Sequence, residues 1–288
     1  MQQLKHNKVA FLGMGLMGQR MSRRLLDANI EVAVWNRSPA ACEALYLLGA
    51  SSLQLPNIQD YPVILMCLAD DNAVKTVFEQ IKPYLKKGQI IVDFSSLSVD
   101  CTQTLAQQAK ALGITWIDSP VSGGTQGAEL GSLVIFAGGD EEIIQQLSPI
   151  YQILSQRVTR MGDTGAGQAT KICNQLIVAA SSTLIAEAVA LARAAGVDAS
   201  LLAPALADGF ADSKPFQILS PRMASHIFEP VQWKVQTLSK DLGNAMSLAQ
   251  QNDLDLPVAA SALKQLSKHQ NQGFAEADLA SFIKHIEA

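Results

Sequence analysis

Short runs of β-branched and aliphatic residues alternate with helical periodicity through the first half of the chain. Apolar runs at 8–12 (KVAFL), 31–35 (EVAVW), 63–67 (VILMC), 89–93 (QIIVD), 115–117 (TWI) and 133–137 (LVIFA) read as strands. Helical patterns lie between them at about 17–28, 39–48, 72–84, 100–112 and 140–150. Strands and helices in this alternation predict crossover connections and one doubly wound parallel sheet. Past Met161 the texture changes. The segment GDTGAG punctuates the chain, and from Ala166 onward no alternating β-branched run occurs. A long apolar-rich helix is expected over 166–195, ended by Gly196, with further amphipathic helices at 199–208, 213–225, 233–251, 256–271 and 275–287. The expected organisation is an α/β domain at 1–163 followed by an all-helical domain at 164–288.

Composition narrows the function classes. The 288 residues carry 22 Lys and Arg against 26 Asp and Glu, a net charge of −4, which is mild and of the wrong sign for nucleic-acid binding. Charged residues amount to 17%, below the roughly 25% of average soluble chains, which points to extra buried surface. Cys42, Cys67, Cys101 and Cys173 form no CxxC pair, so neither a zinc site nor a disulfide framework is expected, and a reducing cytoplasm fits. His6, His226, His269 and His285 have no metal-ligand spacing. The beginning MQQLKHNKVAFLG lacks the signal-peptide pattern, and the apolar stretch 172–195 contains Asn174, Gln175, Ser181, Ser182, Glu187 and Arg193, which reads as a buried helix and no membrane contact.

Directly after the first strand, Gly13-Met14-Gly15-Leu16-Met17-Gly18 opens a helical segment containing Met21, Leu25 and Leu26. In that context the glycines have separate uses: Gly13 for a tight turn, Gly15 for backbone approach to a pyrophosphate, and Gly18 for helix-to-strand packing. The second strand ends Val34-Trp35-Asn36-Arg37-Ser38, without the acid that an NAD site places there for the ribose hydroxyl. Arg37, assisted by Asn36 and Ser38, can pair with a 2′-phosphate, which favours NADP with NAD possible; a merely solvated Arg37 leaves that choice open. Leu68, Ala69 and Ser96 fall at the carboxyl edge of the next two strands, where open α/β sheets bind ligands.

Two further stretches carry candidate chemistry. In Asp118-Ser119-Pro120-Val121-Ser122-Gly123-Gly124, the glycines leave backbone N–H groups beside a hydroxyl, an arrangement that suits a carboxylate and equally suits a structural turn. In Gly165-Ala166-Gly167-Gln168-Ala169-Thr170-Lys171-Ile172-Cys173-Asn174-Gln175, helical spacing puts Lys171, Asn174 and Gln175 on one face. A lysine among such apolar neighbours is either functional, with desolvation lowering its pKa, or a snorkelling side chain in the helix's first turns. Lys240-Asp241-Leu242 lies in a later helical stretch, where Lys240 is structural or reaches the same cleft.

Four motifs in order, GMGLMGQRM, DSPVSGG, GAGQATKICNQ and KDLGNA, resemble those of the β-hydroxyacid dehydrogenase family. That family includes 3-hydroxyisobutyrate dehydrogenase, tartronate semialdehyde reductase and the glyoxylate and succinic semialdehyde reductases. The resemblance implies an N-terminal Rossmann domain, an all-helical C-terminal domain, and hydride transfer between nicotinamide and a small carboxylate substrate. It implies Lys171 as catalytic acid/base with Asn174 and Gln175 beside it. It further implies that Ser122, Gly123 and Gly124 hold the substrate carboxylate, that Lys240 lies near nicotinamide and substrate, and that the protein is a homodimer or homotetramer. Asn174-Gln175 stands where many members carry Asn-Asn and looks like the tartronate semialdehyde reductase form; Ala69 stands where a proline is common. An imine reductase, a similar NADPH family with Asp or Tyr at the position of Lys171, is the nearest enzymatic alternative. A non-catalytic NADP-binding module is the alternative from another class.

Overall fold

The computed structural model describes residues 7–288, so His6 lies outside the described residues. The chain divides into two compact units, Met1–Lys171 and Ile172–Ala288. Nine strands build the sheet of the first: β1 (Lys8–Leu12), β2 (Glu31–Trp35), β3 (Ser51–Ser52), β4 (Val63–Met66), β5 (Ile90–Asp93), β6 (Thr115–Asp118), β7 (Val121–Ser122), β8 (Leu133–Gly138) and β9 (Ser155–Gly162). Their order is β3-β2-β1-β4-β5-β6-β8-β7, with β9 beside β8. The pairs from β3 to β6 are parallel, as expected. The β6–β8 and β7–β8 pairs are antiparallel, so the last part of the sheet departs from an all-parallel arrangement.

Helices α1 (Leu16–Asp27), α2 (Glu43–Tyr46), α3 (Asp71–Ile81), α4 (Val99–Ala111), α5 (Gly124–Leu130), α6 (Glu141–Gln146) and α7 (Ser148–Leu154) connect the strands. Strand residues bury side chains on both faces of the sheet. Val9 and Phe11 of β1 join one core with Met21 and Leu25 of α1, while Ala10 and Leu12 join the other with Val74, Phe78 and Leu105 of α3 and α4. This two-sided burial explains why the first strands read as unbroken apolar runs. The starts of α3, α4 and α6 are set by their own sequence: Asp70, Ser98 and Asp140 accept from the N–H groups of Ala73, Cys101 and Ile143.

Strand β9 has no counterpart in the hydropathy pattern. Gln156, Arg157, Thr159 and Arg160 are exposed, and the strand exists through its parallel ladder to β8. Pairing at an edge demands backbone groups and tolerates polar side chains.

The long helix α8 (Ala166–Ala194) carries the chain from the first unit into the second, followed by α9 (Leu202–Leu206), α10 (Lys214–Ala224), α11 (Val235–Gln251), α12 (Pro257–His269) and α13 (Ile283–Ile286). Past Gly162 the described residues form no strand, only an isolated bridge between Lys234 and Asp278. The expected helix at 275–287 is shorter than its pattern, beginning with a 3₁₀ turn at Leu279 after Asp278 caps Ala280. By length and composition α8 is apolar enough to cross a membrane; 39% of its most apolar window is buried among the described residues, so it is only in part the buried helix expected. Ala179, Ser182, Ala186 and Val189 line that buried face at helical spacing.

Candidate active site

The glycine loop lies at the end of β1, beside β4, where the connections diverge on leaving the sheet. Gly13 has φ +101° and has no room for a Cβ against the Cys67 carbonyl, while a Cβ at Gly18 would run into the Gly13 carbonyl. Those two glycines are demanded by the fold. Gly15 is not: its φ is −76°, and a Cβ there would meet nothing within 4 Å among the described residues. Helix α1 begins at that open position with no side-chain cap and no acidic residue in its first turn. Uncapped N–H groups beside an open glycine fit a dinucleotide pyrophosphate, the anion that helix starts of this kind hold. Met14 is buried, Leu16 exposed and Met17 half-buried along the same turn.

At the end of β2, Asn36 bonds within its own loop region. Its Oδ1 accepts from Met14 N–H at 3.0 Å and its Nδ2 donates to the Ser38 carbonyl at 3.0 Å, so its amide shapes the glycine loop. Arg37 and Ser38 are exposed next to it.

Leu68 and Ser96 are half-buried and Ala69 is exposed at the ends of β4 and β5. Leu68 N–H donates to Ser95 Oγ at 2.9 Å, which joins the two loops. Beneath them lie two buried carboxylates in register, Asp93 on β5 and Asp118 on β6. Burial pushes Asp93 up to about 7, and its Oδ1 accepts from Ser95 N–H while Oδ2 has no hydrogen-bond partner among the described residues. Asp118 is raised less, to about 6, because backbone N–H groups of Gly165 and Gln168 oppose the desolvation. A folded-state value above the ordinary 3.8 means that Asp93 adds stability at low pH, which is lost as pH rises through about 7. Asp93→Asn keeps the Ser95 contact without the titration. Its melting temperature relative to wild type is therefore expected to climb between pH 5 and pH 8, and a difference independent of pH would refute the buried charge.

Ser122 sits in β7 against Val134 of β8, and Gly123 (φ +118°) and Gly124 (φ +61°) turn the chain into α5. A Cβ at Gly124 would meet nothing within 4 Å among the described residues, so this turn also offers open backbone. Lys171 is half-buried on α8, one turn past Gln168, whose side chain is bound at the end of β5 through Leu97 N–H and the Ser95 carbonyl.

In the helical unit, Asn174 Nδ2 donates to Gln175 Oε1 at 2.8 Å, and Gln175 Nε2 donates to Asp241 Oδ2 at 2.5 Å. Lys240 is exposed beside Asp241, with Nζ 3.9 Å from its carboxylate. Sequence reasoning gave no role to Asp93, Asp118, Gln168 or Asp241. Each is a polar residue inside an apolar context, Asp118, Gln168 and Asp241 stand inside the quoted motifs, and that mismatch was the available signal.

Comparison with known proteins finds relatives for both halves of the chain. A family model described as the NAD binding domain of 6-phosphogluconate dehydrogenase matches residues 8–162, and one described as the NAD-binding domain of NADP-dependent 3-hydroxyisobutyrate dehydrogenase matches 165–286. The chain is 33% identical to 2-hydroxy-3-oxopropionate reductase of Escherichia coli, covering 97% of each, and 27% identical to glyoxylate/succinic semialdehyde reductase 1 of Arabidopsis thaliana, covering 97% of this chain and 98% of the relative. A solved structure of Mycobacterium tuberculosis 3-hydroxyisobutyrate dehydrogenase with L-serine superposes with TM-score 0.90 at 25% identity, covering 98% of this chain and all of the other. The fold, the two family models and these relatives define a nicotinamide-dependent oxidoreductase. The chain belongs to the β-hydroxyacid dehydrogenase family and is an NAD(P)-dependent 3-hydroxyacid dehydrogenase.

Proposed function

We propose that the enzyme interconverts a short 3-hydroxy acid and its semialdehyde, of the 2-hydroxy-3-oxopropanoate, 3-hydroxyisobutyrate or glyoxylate/succinic semialdehyde type, using NADP and Lys171 as acid/base. The observation that carries the reading is Lys171 on α8, one turn beyond a residue bonded at the end of β5, with Asn174 and Gln175 three and four positions further along. Bound nicotinamide supplies the hydride and accepts it in reverse. As the carbonyl carbon gains hydride, its oxygen gains negative charge, and the Lys171 ammonium delivers a proton to that oxygen. In oxidation the neutral amine removes the hydroxyl proton. Asn174, whose amide nitrogen donates to Gln175, would use its carbonyl oxygen to accept from the substrate hydroxyl. Ser122, Gly123 and Gly124 present a hydroxyl and backbone donors to the substrate carboxylate, and Lys240 adds a cation; both assignments rest on the family motifs. NADPH oxidation over a panel of short semialdehydes and α-keto acids tests the reading. Turnover is expected with 2-hydroxy-3-oxopropanoate or a close analogue, and activity on cyclic imines alone would overturn it.

The preference for NADP rests on exposed Arg37 and Ser38 and on the lack of an acid at the end of β2. Arg37→Ala should weaken NADPH by roughly 10- to 100-fold in kcat/KM, as for a charge-assisted bond of about 1.5 to 3 kcal/mol. NADH should be little affected. An unchanged NADPH constant, or a wild-type preference for NADH, would refute this choice.

Self-association through α8 completes the reading. Ile177, Leu184 and Leu191 recur every seven residues and are 63%, 64% and 71% exposed, an apolar stripe of the form that a second copy covers. Light scattering should give a dimer or tetramer, dissociating in Leu184→Glu; a wild-type monomer would refute it.

A further inference from the structure

We propose that Asp118 and Gln168 are positioning residues for Lys171, fixing the first turn of α8 at the carboxyl edge of the sheet. The inference rests on the reading of Lys171 as the acid/base.

Asp118 ends β6 and is fully buried; Oδ1 accepts from Gly165 N–H at 2.8 Å and Oδ2 from Gln168 N–H at 3.0 Å. Gln168 is also fully buried, and it accepts from Leu97 N–H at 3.0 Å and donates to the Ser95 carbonyl at 2.8 Å. Ser95 Oγ in turn accepts from Leu68 N–H, so the ends of β4, β5 and β6 and the start of α8 form one hydrogen-bonded frame. At Gly167 a Cβ would stand 2.7 Å from Asp118 Oδ2, so the helix approaches the carboxylate as closely as backbone allows.

A helix that needs only a cap can take one from the residue just before it. Helices α3, α4, α6 and α10 do so, through Asp70, Ser98, Asp140 and Ser213. For α8 the capping carboxylate is 47 and 50 residues away in sequence, and the second hold, through Gln168, spans 71 and 73. Burying a carboxylate costs free energy that a local serine would not. What the remote arrangement adds is register: holds on both backbone and side chain stop the helix from turning or sliding relative to the strand ends. Sliding by one residue moves a helical side chain about 1.5 Å along the axis and about 100° around it. Lys171 begins the next turn, and its ammonium must meet a carbonyl oxygen that the same strand-end loops position.

The test uses the full-length enzyme with NADPH and 2-hydroxy-3-oxopropanoate, or succinic semialdehyde if that is turned over faster. Asp118→Asn replaces one acceptor oxygen with a donor, and Gln168→Met keeps volume without hydrogen bonds. Each is expected to lower kcat by roughly 10- to 100-fold, the scale of a misplacement of about 1 Å. NADPH Kd, followed by fluorescence, should stay unchanged. In a Lys171→Ala background the same substitutions should leave the residual kcat unaltered, because nothing remains to be positioned. Three results would overturn the proposal: equal losses in both backgrounds, a parallel rise in NADPH Kd, or full kcat in either folded variant. Failure of both variants to fold would also overturn it, by making the frame a requirement of folding. If Lys171→Ala itself keeps wild-type kcat, the acid/base reading fails instead, independently of these variants.

Discussion

Lys171→Ala is expected to lower kcat by roughly 10² to 10⁴, the contribution of a positioned general acid, while NADPH Kd stays at its wild-type value. The asymmetry follows from when the interaction is made. In the ground state the carbonyl oxygen carries little charge, and the proton is needed only as hydride arrives, so the loss belongs to kcat. Lys171→Arg separates proton transfer from electrostatics. Guanidinium keeps the positive charge but does not release a proton near neutral pH, so the arginine variant should be nearly as slow as the alanine variant. Turnover close to wild type in Lys171→Ala would remove the lysine from the mechanism. High activity in Lys171→Arg would reduce its role to charge.

Gly15→Ala should leave the fold intact and weaken NADPH on the order of 10- to 100-fold in Kd, about 1.4 to 2.8 kcal/mol. Among the described residues no atom lies within 4 Å of the added Cβ, and a φ of −76° is open to alanine. Loss of melting temperature is therefore not expected. The added methyl instead occupies the space through which a pyrophosphate reaches the uncapped N–H groups of α1. Gly18→Ala provides the contrast, since its Cβ meets the Gly13 carbonyl and the protein itself should be destabilised. Unimpaired NADPH binding by Gly15→Ala, measured by fluorescence titration, would show that the dinucleotide does not follow this loop.

Much of the architecture was legible because burial on both faces imprints itself on strands β1, β2, β4, β5 and β6. Strand β7, of two residues, and β9, whose exposed side chains are polar, leave no such imprint; both are recruited by backbone pairing with β8. The glycine motif was readable as a unit. Its division of labour was readable from the motif as well, but not the contacts behind it, because only the neighbouring Cys67 and Gly13 carbonyls show why the fold requires Gly13 and Gly18 and leaves Gly15 open. Asn36 illustrates the same limit. The sequence shows the missing acid, whereas the bonds to Met14 and Ser38 show that its amide belongs to the loop.

By itself the sequence determined the two-part organisation, the glycine loop after β1, and the helical face carrying Lys171, Asn174 and Gln175, because each follows from local periodicity or contiguous residues. Tertiary structure decided what lies between distant segments: Asp118 at the start of α8, Gln168 at the end of β5, and Gln175 on Asp241. Hydrogen bonds spanning 47 to 73 residues leave no spacing to read. Their only trace in the chain is a polar residue where the pattern asks for an apolar one, and the packed structure supplies its partner.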